Sequence, residues 1–138
     1  MKYIKQLERM REKHRVLLLV DMFEEKKKKG KASLLTAFYK PPLKEVEHKR
    51  IDLTTMANAD ELLKALRHPL PQVFICGKRV GGLEEINKLN KTGELKPMLD
   101  IAFEEIRKEK ERIEKERLRR IEIEEHRKAH EEFFDFEI

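Results

Sequence analysis

Apolar residues along this chain switch between helical spacing and short continuous runs, and that alternation sets out the elements. Ile4, Leu7 and Met10 recur among Lys, Arg and Glu, predicting an amphipathic helix over residues 1–14 that packs on the domain or on a partner. Val16-Leu17-Leu18-Leu19-Val20 is a continuous run of strand length, as expected for a central strand buried on both faces. Phe23 to Tyr39 predict a helix with Leu34, Leu35 and Phe38 on one face, stopped by Pro41-Pro42. Val46 and His48 alternate with charged neighbours ahead of Ile51-Asp52-Leu53, a second strand running parallel to the first, so the opening reads as a βαβ unit.

Thr54-Thr55 are expected to cap a helix over Ala59 to Leu66, which His68-Pro69 end. Gln72 to Ile75 read as a strand, Gly77-Lys78 as a tight turn, and Arg79-Val80 as a returning strand that stops at Gly81-Gly82. Leu83 to Leu89 form a short helix, broken at Thr92-Gly93 before a last helix starts near Glu94 or Leu95. From Pro97 no turn signal appears until Phe133, which predicts one helix of roughly 35 residues and about 50 Å at 1.5 Å per residue. Leu99, Ala102, Phe103 and Ile106 form a stripe on its first part that would pack on the domain. From Arg107 the helix is dominated by Glu, Lys and Arg with opposite charges three or four apart, and no sustained coiled-coil seam follows Ile106 and Ile113. The chain thus divides into a helical extension (1–14), a domain (15–106) and a charged helix with an aromatic, acidic tail (107–138).

Composition narrows the chemistry. Charged residues make up 43% of the 138 and apolar ones 39%, against about 25% charge in an ordinary globular chain, so much of the surplus must be solvated. The net charge of +5 is mildly basic and identifies no partner by itself. With Cys76 as the single cysteine, no intramolecular disulfide and no cysteine-ligated zinc site can form, and a cytoplasmic location is expected. No apolar run approaches the ~20 residues of a membrane span, and the first residues are too charged for a secretory signal. His126 and His130 share a helix face, but no third metal ligand accompanies them.

The segment Leu70-Pro71-Gln72-Val73-Phe74-Ile75, the Gly77-Lys78 turn and Gly81-Gly82 followed by Glu84 resemble the second half of the glutaredoxin family. Leu89-Asn90-Lys91-Thr92-Gly93-Glu94-Leu95 is similar to the ending of the same motif. The resemblance implies an α/β, thioredoxin-like fold: a four-stranded mixed sheet flanked by helices, here with a long charged C-terminal helix. It further implies a cis bond before Pro71 and a residual glutathione corner made of Leu70, Pro71, Gly81, Gly82 and Glu84. Family members carry Cys-X-X-Cys or one cysteine just after the first strand, where a helix N-terminus favours thiolate. Here the stretch Asp21 to Gly30 holds neither Cys nor Ser. In lacking the thiols the chain is similar to the SH3-domain-binding glutamic-acid-rich-like proteins, although Pro41-Pro42 alone is not their proline-rich ligand.

These readings predict a non-catalytic binding or structural protein, with no cofactor and no obligate small molecule, acting with protein partners in a larger assembly such as a cytoskeletal or ciliary lattice. Its partner-binding candidates are Phe133, Phe134, Phe136 and Ile138, which put four large apolar residues at the end of a solvated helix, and the basic run Lys26, Lys27, Lys28 and Lys29. Two alternatives stand beside it. One is a glutathione- or iron–sulfur-linked redox protein using the residual corner, against which the missing thiolate ligand argues. The other is a basic RNA- or ribosome-associated protein, which would show steeply salt-dependent binding.

Overall fold

The computed structural model describes residues 2–28 and 33–137, with side chains through Glu131. In chain order the elements are α1 (Lys2–Lys13), β1 (Val16–Val20), α2 (Met22–Lys27), α3 (Leu34–Ala37), β2 (Lys49–Asp52), α4 (Ala59–Leu66), β3 (Gln72–Ile75), β4 (Lys78–Gly81), α5 (Leu83–Thr92) and α6 (Leu95–Glu137). The strands form one sheet in the order β2-β1-β3-β4. β1 runs parallel to β2 and antiparallel to β3, and β4 returns antiparallel to β3.

The two central strands are buried along their whole length, which is why they read as unbroken apolar runs. On one face Leu17, Leu19 and Phe74 pack with Leu7 of α1, Leu53, and Leu62 and Leu66 of α4. By strand alternation Val16, Leu18 and Val20 point to the opposite face, and they are equally buried. The buried residues outside the first cluster include Leu34, Ile86, Leu95, Leu99 and Ala102, on α3, α5 and the start of α6. The chain falls into two compact units, residues 1–105 and 106–138, and α1 belongs to the first.

Three expectations need correction. The helix predicted over Phe23 to Tyr39 is two short helices, because Asp21 caps α2 and Ser33 separately caps α3, its hydroxyl accepting the Thr36 N–H at 3.2 Å. Thr54-Thr55 do not cap α4. They lie in a 3-10 turn (Leu53–Thr55) held by Asp52, whose carboxylate accepts the Thr54 N–H at 3.0 Å and its hydroxyl at 2.6 Å, and Asn58 precedes α4. Phe103, placed on the packed stripe of the last helix, is 51% exposed. The Leu70–Pro71 bond is cis, as expected, and so is Pro41–Pro42. Among the described residues no helix is long and apolar enough to cross a membrane.

Candidate functional site

The corner suggested by the motif is assembled by the β3–β4 hairpin and the start of α5. Cis-Pro71 leads directly into β3, whose Val73 is the register partner of Gly81. Gly82 approaches the Pro71 backbone so closely that a Cβ built on it would lie 3.3 Å from the Pro71 carbonyl oxygen. Gly81 has φ +125°, and a Cβ there would come within 2.7 Å of the Glu85 side chain, so both its backbone angle and its space require glycine. Leu70 packs against the core cluster on the α1 and α4 face. Buried Gln72 braces the entry to β3: its amide donates to the Pro69 carbonyl at 2.7 Å and its side-chain oxygen accepts from Arg79 at 3.1 Å.

Two glutamates stand at the start of α5 beside this corner. Glu84 is exposed on α5, whereas the Glu85 carboxylate folds back to accept the Gly82 N–H at 2.9 Å. Glu85 therefore supplies the negative charge that a helix N-terminus attracts. The Gly82-to-Glu85 spacing is that of a capping box, but glycine in place of the usual Ser or Thr hid the signal.

Just after β1 stands Asp21. Its carboxylate accepts the N–H groups of Phe23 at 3.1 Å and Glu24 at 3.2 Å, an ordinary N-cap at the start of a stretch, Asp21 to Gly30, that holds neither Cys nor Ser. Phe23 is 67% exposed, with the Lys27 ammonium 4.2 Å from its ring centroid. Within the basic run, Lys27 pairs with Glu24 at 3.4 Å and Lys28 with Glu25 at 3.3 Å, so two of the candidate lysines are partly neutralised by their own helix. Lys26 is exposed, and Lys29 lies outside the described residues. So does Ile138, and the side chains of Phe133, Phe134 and Phe136 are likewise outside them.

Cys76 lies at the far end of β3, in the two-residue turn with Gly77, both residues at positive φ (52° and 81°) as a primed hairpin turn requires. The turn residues are thus Cys76-Gly77, one position earlier than predicted. Burial pushes the Cys76 thiol up from its ordinary value, Glu105 reinforces this by charge and hydrogen bonding, and Arg15 and Lys78 oppose it. Among the described residues no group of three His, Cys, Asp or Glu side chains is placed to hold a metal ion.

No protein-family model matches the chain. The chloroplastic glutaredoxin-C5 of Arabidopsis thaliana is 48% identical over 33 residues, which is 24% of this chain and 19% of that protein's length. Solved structures match over a much larger share. The buckwheat glutaredoxin–glutathione complex aligns with a TM-score of 0.61 at 18% identity, covering 73% of this chain and 90% of that one. Wheat glutaredoxin aligns at 0.59 with 23% identity, covering 73% and 95%. The holo form of glutaredoxin C1 from a Populus hybrid aligns at 0.58 with 22% identity, covering 74% and 99%. The fold is therefore thioredoxin-like: a four-stranded mixed sheet flanked by helices, followed by a long C-terminal helix.

Proposed function

We propose that this chain is a non-catalytic, glutaredoxin-like binding protein, in which the domain and the charged helix serve as two contact elements within a larger protein assembly. The observation that carries the reading is Asp21. Where redox relatives of this fold need a thiolate at a helix N-terminus, this chain has a carboxylate consumed in capping α2. Cys76 is no substitute, because it sits in a turn whose surroundings favour the protonated thiol. A lattice of cytoskeletal or ciliary type is the kind of assembly such a protein would suit.

A second reading has one observation in its favour. Cis-Pro71, Gly81 and Gly82 are brought together, and the buckwheat protein of similar fold was solved as a glutathione complex. In this chain, however, Glu85 already accepts the Gly82 N–H and places a carboxylate where an anionic ligand would approach. One experiment separates the readings: glutathione-dependent disulfide reduction and calorimetric glutathione binding, both with wild type and Cys76→Ala. The expected result is no turnover and no binding for either protein. Turnover lost in Cys76→Ala would overturn the non-catalytic reading, and saturable binding without turnover would establish the second.

A further inference from the structure

Charge in the second unit is unevenly distributed along its length. Residues 107–120 carry eight Lys or Arg against four Glu, while residues 121–138 carry two against seven Asp or Glu. Ion pairs within the helix do not cancel this. All four glutamates of the basic half are taken by arginines: Arg107 with Glu111 and Arg112 with Glu109, each at 2.6 Å, Arg117 with Glu114 at 2.6 Å, and Arg120 with Glu116 at 3.6 Å. In the acidic half Arg127 takes Glu124 and Glu131.

Several charges outside these pairs fall on one face. Lys108, Lys115, Leu118, Glu122, Glu125 and Ala129 follow one another at steps of seven, three, four, three and four, the spacing of a single helical stripe, with Arg119 beside it. Every one of these residues is exposed. Ile121 adjoins the stripe, three residues after Leu118 and four before Glu125, while the opposite face, with Ile113, is bordered by the arginine–glutamate pairs just named and presents no comparable surplus of either sign.

We infer that this stripe is the contact surface for a second copy of the same helix running antiparallel. Reversing one copy about the level of Arg120 brings Lys115 opposite Glu125 and Leu118 opposite Glu122, and the two-fold symmetry repeats each pair. The basic half of each helix then lies along the acidic half of the other. A parallel, in-register pair would instead set Lys115 against Lys115 and Glu122 against Glu122, so like charges select against it. Leu118, 48% exposed in the single chain, gains cover near the two-fold axis. The inference concerns the second unit alone and stands whatever the domain binds.

The test is light scattering and sedimentation equilibrium of the full chain, with circular dichroism to show that each variant keeps its helix. Wild type should be dimeric at low ionic strength, with Kd rising about tenfold or more between roughly 50 and 500 mM salt as exposed charges are screened. Lys115→Glu with Arg119→Glu should be monomeric, as should Glu122→Lys with Glu125→Lys. Mixed one to one, these two variants should form a heterodimer, because positions 115 and 125 again face each other with opposite sign in both symmetry-related pairs. A monomeric wild type at about 100 µM and low salt, where even a micromolar affinity would show, overturns the inference. So does a dimer that survives both double substitutions, or a mixture that stays monomeric.

Discussion

A cysteine attacks only as thiolate, so the groups around Cys76 decide what it can do. Burial and the neighbouring Glu105 carboxylate both hold its pKa above the ordinary value, and Arg15 and Lys78 offset this only in part. The thiol therefore stays protonated at neutral pH and gains nucleophilicity only as pH climbs through the raised value. Alkylation of the native protein by iodoacetamide near pH 7.5, followed by mass spectrometry, should be slower than that of a free cysteine model compound. Glu105→Gln should speed it by removing a charge that opposes ionisation. Faster alkylation of the native protein than of the model compound would reverse the assignment and make Cys76 a reactive thiol. Asp21 shows the complementary case. One of its carboxylate oxygens accepts two backbone N–H groups, which stabilises the helix start.

Between elements, Arg11 ties α1 to the far end of the sheet. Its guanidinium donates twice to the Gly77 carbonyl, at 2.9 and 2.5 Å, and lies 4.8 Å from the centroid of the Phe74 ring. A charge-assisted hydrogen bond contributes about 1.5–3 kcal/mol and a cation–π contact about 0.5–2. Partial exposure trims both, so Arg11→Ala should cost about 1–2 kcal/mol in urea unfolding. Arg11→Lys should recover only part of that loss, since the ammonium cannot reproduce the planar fork. An unchanged midpoint in Arg11→Ala would mean that α1 is held by the apolar packing of Leu7, Tyr3 and Met10. Nothing in the sequence pattern linked Arg11 to Gly77, because the contact joins segments far apart in the chain. Elements whose cause is local were legible: the apolar runs of β1 and β3, the bend at Pro71, the glycines at 81 and 82. The break between α2 and α3 was also local, since Ser33 is a good N-cap residue, but the apolar spacing through Leu34 and Phe38 outweighed it. In the corner, the pairing of Pro71 with Gly81-Gly82 could be read from the motif, whereas the Glu85 cap on Gly82 depends on which carboxylate reaches back to the helix start.

At the level of the whole molecule, the first unit contains the buried core, and among the described residues the second has none. Every core residue from Leu7 to Ala102 precedes the division at residue 105, and from Arg107 to Glu131 each residue is exposed. The charged stretch is supported by its own ion pairs, each worth about 0.2–0.5 kcal/mol, and these act within the helix without bearing on the sheet. Truncation after Arg107 should therefore leave the thermal midpoint of the domain almost unchanged, within the few degrees that ~0.5 kcal/mol would produce. The same truncation should abolish self-association, because Lys115, Arg119, Glu122 and Glu125 all lie beyond the cut. Phe133→Ala, Phe134→Ala and Phe136→Ala together separate two kinds of contact. If the aromatic tail anchors a different partner, each ring buried there would contribute about 1.5–3 kcal/mol, and the triple variant would lose that partner while still forming the dimer. If instead the triple variant loses the dimer as well, the aromatic tail takes part in pairing the two helices. Unfolding of the truncated chain would show that α6 beyond residue 107 supports the sheet and that the two units are not independent in stability.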